Sequence, residues 1–203
     1  MFYRPGTDDP KPPHSPFKAI VAPRPIGWIS TRNADGTANL APYSFFNAIS
    51  DAPPMVMFGS TGSKQDRARG KDSLANIRAS GEFVVNIVSR DLVDAMNITS
   101  GPYDAGHDEF ELAGLQKAPC RVVDVPRVAA SPAALECRLW RIIELPGDEN
   151  SMTIGEVVGI HIQDRFMENE MLNVAAYQPV ARLGYRDYCA AGDLFQLTRP
   201  GQK

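Results

Sequence analysis

The sequence predicts a mainly β protein, an antiparallel sheet or barrel with appended helices. Three observations carry this. Apolar residues alternate with polar ones over 135–145 and again over 152–162, with Arg141 the one departure, and Pro146-Gly147-Asp148-Glu149-Asn150 makes the turn between them. Elsewhere short apolar runs are separated by clusters of Gly, Pro, Asn and Asp, and long helical periodicities are few. No Gly-x-Gly-x-x-Gly opens a helix after a strand, which leaves a doubly wound parallel sheet without support.

In chain order, residues 1–19 form a proline-rich arm and 20–203 a single domain, since no shift in composition divides them. Ile20-Val21-Ala22 starts a first short strand and Ile26 to Arg32 a second, followed by a hairpin at Asn33-Ala34-Asp35-Gly36, residues that tolerate positive φ. Thr37 to Ile49 returns antiparallel, with a break near Pro42. Met55 to Phe58 is a compact strand running into a turn at Gly59-Ser60-Thr61-Gly62-Ser63. Asp72 or Ser73 caps a short helix carrying Leu74 and Ile77, and Gly81 stops it. Glu82 to Val88 is a strand, and Ser89 caps a helix with Leu92, Val93 and Met96 on one stripe. Residues 101–127 form a long excursion punctuated by Gly and Pro. A helix or loop spans 166–177, and the apolar Phe195-Gln196-Leu197 is expected to be pinned to the body.

Charge and composition narrow the functional classes. The formal charge is -3 with no Lys/Arg-rich run, so nucleic acid and acidic membrane surfaces are not expected partners. Residues 1–9 lack the apolar segment of a secretory signal, and no apolar run reaches the roughly 20 residues of a membrane span. A soluble, cytoplasmic protein is the expectation. Cys120, Cys137 and Cys189 are odd in number and far apart in sequence, without a neighbouring His, and no metal site is expected of them.

Familiar catalytic signatures fail. Gly70-Lys71-Asp72-Ser73 has Gln65 where a phosphate loop needs its first glycine, and neither His-Glu-x-x-His nor Gly-x-Ser-x-Gly is present. What stands out is that Ser44, Asn47, Asn76 and Asn86 interrupt apolar runs, because buried polar groups need partners. Ser60, Lys71 and the helix start at Asp72-Ser73 suit a phosphomonoester, provided that the Asp72 carboxylate is turned away from it. Ser44-Phe45-Phe46-Asn47 offers flat apolar surface together with hydroxyl and amide groups, as suits a planar ring with polar edges; ordinary core packing explains its aromatics equally well. In the strand over 152–162, Gly155 and Gly159 share a face with His161 and leave room for a ligand or another backbone.

As a set, Pro23-Arg24-Pro25-Ile26 with Ser30-Thr31, Asn39 to Asn47, Lys71 to Ile77, Gly81 to Ile87, Gly155 to His161 and Arg182-Leu183-Gly184 resemble the flavin reductase-like family of FMN-binding split barrels, in particular its flavoredoxin-like branch. The resemblance covers roughly residues 20 to 200. It implies a split β-barrel that binds FMN at a homodimer interface and takes electrons from NADH or NADPH for a small-molecule or protein acceptor. It also implies ring contacts from Ser44, Phe45, Phe46 and Asn47, phosphate contacts from Ser60, Lys71, Asp72 and Ser73, weaker candidates in Arg24 and Thr31, and His161 as the candidate catalytic residue. An electron carrier that does not react with nicotinamide, and a non-redox flavin-binding barrel, are the alternatives.

Overall fold

The computed structural model describes residues 2–7, 14–62, 72–103 and 107–201. Its first element is a helical turn, α1 (Phe17–Ile20), where the sequence suggests a strand at 20–22. Three apolar residues are too few to set a period. The Pro16 carbonyl accepts from both Ala19 N and Ile20 N at 2.9 Å, and the Arg24 guanidinium donates to the carbonyls of Lys18 and Val21.

Strands β1 (Arg24–Pro25), β2 (Gly27–Arg32) and β3 (Ala38–Tyr43) follow, the last two joined by the expected hairpin, with Gly36 at φ 88°. The return strand breaks two residues later than expected. Pro42 stays in the ladder opposite Trp28, tolerated because β3 ends the sheet order, and the bend falls at Ser44–Phe45 before β4 (Phe46–Asp51). In β5 (Pro54–Ser60), Gly59 and Ser60 belong to the strand, because Gly59 N donates to Phe45 O at 2.7 Å and Ser60 pairs with Ser151.

Helix α2 (Asp72–Ser80) begins at Asp72 and ends at Gly81, whose φ of 73° and bond to Ile77 O at 2.9 Å make the stop. After β6 (Glu82–Ile87), Ser89 makes no side-chain cap. A single tight turn, Arg90–Leu92, leads instead into α3 (Val93–Ile98), while the Ser89 backbone bridges to Pro179. Among its described residues the excursion carries α4 (Glu109–Leu112), β7 (Lys117–Ala118) and β8 (Arg127–Val128).

The two long strands are β9 (Ala133–Glu144) and β10 (Ser151–Ile162). Arg141's departure from alternation has a cause: the register steps from Ile154↔Arg141 to Gly155↔Leu139, so Trp140 is the extra residue of a bulge. The short pair β11 (Met167–Glu168) and β12 (Met171–Leu172), helix α5 (Val174–Tyr177), β13 (Val180–Arg182) and β14 (Tyr188–Ala190) complete the described elements. The C-terminal segment is not pinned. Phe195 and Leu197 are 80% and 86% exposed, since among the described residues no strand or helix follows β14 to carry them back.

The main sheet runs β3-β2-β6-β9-β10-β5-β4. It curls until its ends meet: Tyr43 of β3 and Phe58 of β5 have ring centroids 4.7 Å apart and share a core with Ile29, Phe83, Val85 and Cys137. The end strands β3 and β4 are consecutive in the chain yet share no ladder. The result is a split β-barrel, mainly β with appended helices, whose seam lies at Ser44–Phe45. On the outer face, α3 and α4 cover Trp28, Leu40 and Val128 through Met96 and Phe110. The β2 strand is therefore buried on both faces, Trp28 outward and Ile29 inward. Among the described residues no helix is long and apolar enough to cross a membrane.

Candidate functional site

Several of the expected residues gather at the seam. Phe46 sits opposite Phe58, and extending that register one step past the Gly59–Phe45 bond sets Ser44 opposite Ser60. Two glycines make the bend possible. A Cβ on Gly27 would lie 2.7 Å from Phe46 Cδ2, and one on Gly59 would lie 3.2 Å from Phe45 Cβ. Both aromatic side chains thus pack against glycine backbone. Lys18 Nζ and the Arg24 guanidinium stand 5.8 and 5.9 Å from the Phe45 ring centroid, which gives this end of the barrel positive charge. Asn47 is exposed, its Oδ1 accepting from Ala48 N at 2.9 Å. Beneath the bend, burial pushes the Tyr43 phenol up to about 12.

Next to it, Ser60, Leu74, Arg78, Glu144, Asn150 and Ser151 line a cavity of about 560 Å³. Ser151 was not evident from sequence. It is 3% exposed, pairs with Ser60 across the ladder, and its Oγ has no hydrogen-bond partner among the described residues. A buried hydroxyl without a partner is costly unless a ligand group meets it, so the cavity fits a phosphoryl or ribityl oxygen. Arg78 adds positive charge, although its Nη2 is 3.8 Å from Glu144 Oε1 and is shared with that carboxylate. Helical spacing carries a trace of Arg78's role, for Leu74 and Arg78 lie four apart on one face of α2.

The other expected contacts divide. Ser73 Oγ donates to Asn39 Oδ1 at 2.8 Å, and Asn39 in turn donates to Glu109 Oε1 at 2.9 Å, so the Ser73 hydroxyl ties α2 to β3 and α4. Ser73 and Asp72 line a smaller recess with Tyr43 and Asn39, beside the bend. Lys71 lies outside the described residues. Thr31, fully buried, donates to Asn39 Oδ1 at 3.4 Å and accepts from Asn76 Nδ2 at 3.0 Å. Arg24 clamps the chain ends together, reaching Leu183 O at 2.8 Å as well as α1. Asn86 gives its amide to Trp28 O at 3.0 Å and Ser30 Oγ at 3.2 Å and accepts from Val128 N at 2.7 Å. Asn76 and Asn86 therefore meet their partners within the protein, whereas Ser44 and Asn47 stand at the seam.

His161 is held elsewhere in the chain. It lies ten residues along β10 from Ser151, about 30 Å at ~3.3 Å per residue. Its Nε2 is 2.6 Å from Oε1 of Glu136, which is 1% exposed. Burial pushes the Glu136 carboxyl up, but the backbone N–H groups of Arg121, Val122 and Val123 together with His161 outweigh that and hold it at about 2. The carboxylate is thus ionised and His161 Nε2 is the donor. The register slip between Val157 and Gly159 turns the two glycines to opposite faces of the sheet, and each face is filled by a side chain. A Cβ on Gly155 would lie 2.4 Å from Phe83 Cζ, and one on Gly159 would lie 3.2 Å from Glu136 Cδ. The room that the sequence suggests for a ligand is taken by these two side chains.

Folding also brings Cys120 Sγ, Glu136 and His161 within 4.8 Å of one another, a proximity that sequence spacing conceals. Burial, followed by the charge of Glu136, pushes the Cys120 thiol up to about 12. Both Glu136 oxygens already accept two hydrogen bonds each, so an ion would have to displace one of them.

The model of the flavin reductase like domain matches residues 21–181. A protein of Deinococcus radiodurans is 40% identical over 191 residues, covering 89% of this chain and 82% of its own length. The structure is similar to nitrilotriacetate monooxygenase component B from Bacillus cereus, with TM-score 0.88, 29% identity and coverage of 97% and 98% of the two chains. It is also similar to 2-nitrobenzoate 2-nitroreductase of Pseudomonas fluorescens, with TM-score 0.80, 32% identity and coverage of 91% and 89%.

Proposed function

Because the chain belongs to the flavin reductase-like family, we propose that it binds FMN at the barrel seam and acts as an NAD(P)H-dependent reductase. One observation carries the placement: the Ser44–Asn47 bend adjoins Ser60 and the buried Ser151 hydroxyl, which has no hydrogen-bond partner among the described residues. Bound flavin would supply the redox centre, taking a hydride from NADH or NADPH, which leaves as the oxidised nucleotide, and returning two electrons to an acceptor. In this reading Phe45 and Phe46 exclude water from one side of the ring, and Ser44 and Asn47 meet its polar edge. Lys18 and Arg24 hold positive charge nearby. Ser60, Ser151 and Arg78, with Asp72 and Ser73 at the helix start, form the phosphate end.

We further propose a cytoplasmic homodimer of the 20–203 domain. Trp140 and Ile160, 58% and 60% exposed on the β9–β10 ribbon, supply apolar surface for the contact. His161 would reach a flavin only from the partner subunit, given its distance along β10 from Ser151. The acceptor to test first is a nitroaromatic acid, the class in the name of the Pseudomonas relative; a partner oxygenase is the second.

Anaerobic mixing of the FMN-loaded protein with NADH and with NADPH tests the reading. Bleaching of the flavin absorbance by either donor is expected. Tight FMN without bleaching would select an electron carrier reduced by another protein, and failure to take up FMN would overturn the placement. Ser151→Ala is expected to weaken FMN about tenfold, the scale of one hydrogen bond to a charged group, with the melting temperature of the apoprotein unchanged. Fluorescence quenching titrations check this.

A further inference from the structure

A second cavity, of about 470 Å³, opens beside His161 and is lined by Arg121, Arg127, Ser131, Glu136 and Asp164. Its chemistry is unbalanced. Ser131 is 2% exposed, and its Oγ has no hydrogen-bond partner among the described residues; the buried Nε of Arg127 has none either. Neither Arg121 nor Arg127 forms an ion pair among the described residues. Glu136, the buried carboxylate that might have balanced them, is saturated: Oε1 accepts from Arg121 N at 2.9 Å and from His161, and Oε2 accepts from Val122 N at 2.7 Å and Val123 N at 2.9 Å. Gln163 is committed as well, its amide donating to the carbonyls of Ala129 at 3.0 Å and Ser131 at 2.8 Å. Asp164, at the exposed rim, is the one remaining carboxylate.

We propose that this cavity binds an oxyanion group, the carboxylate of a small organic acid or a phosphate, through Arg121, Arg127 and the Ser131 hydroxyl. A guanidinium with a free edge offers paired, coplanar donors that match two oxygens of one anion. Desolvated donors without partners favour an acceptor-only ligand over a neutral one. The cavity volume is in the range of small-molecule sites. The inference does not rest on the flavin reading, since Arg121, Arg127 and Ser131 carry it, and within one chain Ser151 and His161 lie near opposite ends of β10.

Calorimetric titration of the full chain with inorganic phosphate and, separately, with benzoate tests the proposal, with the His161 ring resonances followed by NMR as the local reporter. Saturable binding of at least one probe with a shift of the His161 signals is expected. Binding of phosphate alone assigns a phosphate ester, and binding of benzoate alone assigns a carboxylic acid. Arg127→Gln should weaken the bound probe at least about tenfold and Ser131→Ala roughly three- to tenfold, while Asp164→Asn should tighten it about twofold by removing the like charge. FMN affinity should change less than probe affinity in all three variants. Should Arg127→Gln fail to fold, Ser131→Ala and Asp164→Asn still decide the outcome. No saturable binding of either probe, or binding that the variants leave unchanged, overturns the site.

Discussion

Glu136→Ala is expected to lower the melting temperature by roughly 10 °C, corresponding to about 3–5 kcal/mol in a chain of this length. The carboxylate is 1% exposed and ends four hydrogen bonds, three from consecutive backbone N–H groups at Arg121, Val122 and Val123 and one from His161. Alanine leaves those donors buried without an acceptor, and the loop that they close loses its anchor on β9. The ionic part of this effect depends on pH with a defined sign. The folded value, about 2, lies below the ordinary 4.5, so the contribution is fully present above the unfolded value and is lost as pH falls from about 4.5 to about 2. That depression corresponds to about 3 kcal/mol. Thermal melts of wild type and variant at pH 7 and near pH 3.5 check the argument: the gap between them should narrow in acid. An equal gap at both pH values would mean that packing, not charge, sets the loss.

Gly155→Ala should cost about 2–3 kcal/mol, or roughly 5–10 °C, although alanine is ordinarily the better strand residue. The new methyl would meet Phe83 Cζ at 2.4 Å, Phe83 Cε1 at 2.6 Å and the Arg138 carbonyl at 3.3 Å, and Phe83 is fully buried at the centre of the barrel core. The ring cannot turn away without displacing Phe58, whose centroid is 5.7 Å from its own. Phe83→Leu in the same chain makes room, so the double variant should be more stable than the sum of the two single losses. Denaturant melts of the four proteins give the coupling, and simple additivity would remove the steric explanation. Gly159→Ala meets its neighbour less closely, at 3.2 Å from Glu136 Cδ, and should cost less.

Local chemistry carried most of the fold. The β9–β10 ribbon, the hairpin at Asn33–Gly36 and the Gly81 stop are visible because each depends on residues a few positions apart. Even the fault in the alternation at Arg141 was informative, for it marks the bulge at Trp140. Pairings over long separations were hidden. The partners of Asn86 lie in β2 and β8, Glu136 meets His161 from 25 residues away, and Arg24 reaches Leu183 across almost the whole chain. The four polar residues that interrupt apolar runs in 23–88 are thus a mixture: Asn76 and Asn86 each find partners within the protein, while Ser44 and Asn47 remain at the seam. Ser151 gives no sequence signal of its own, since a serine at a strand start after a turn is ordinary. Only its place opposite Ser60 and its buried hydroxyl distinguish it.

A barrel that does not close has two end strands, β3 and β4; α4 lies against the first, where Leu40 N donates to Glu109 Oε2 at 3.0 Å, and β4 presents the other backbone edge. Such an edge is a template on which another chain can add a strand and begin a stack. Three features of β4 oppose this. Its register slips between Ala48 and Ser50, so a straight incoming strand cannot keep its bonds in step. Asp51 sets a negative charge at its end, and Pro53 and Pro54 follow at once with no N–H to offer. The bulge in β4 therefore leaves the seam open without offering a straight edge to another strand.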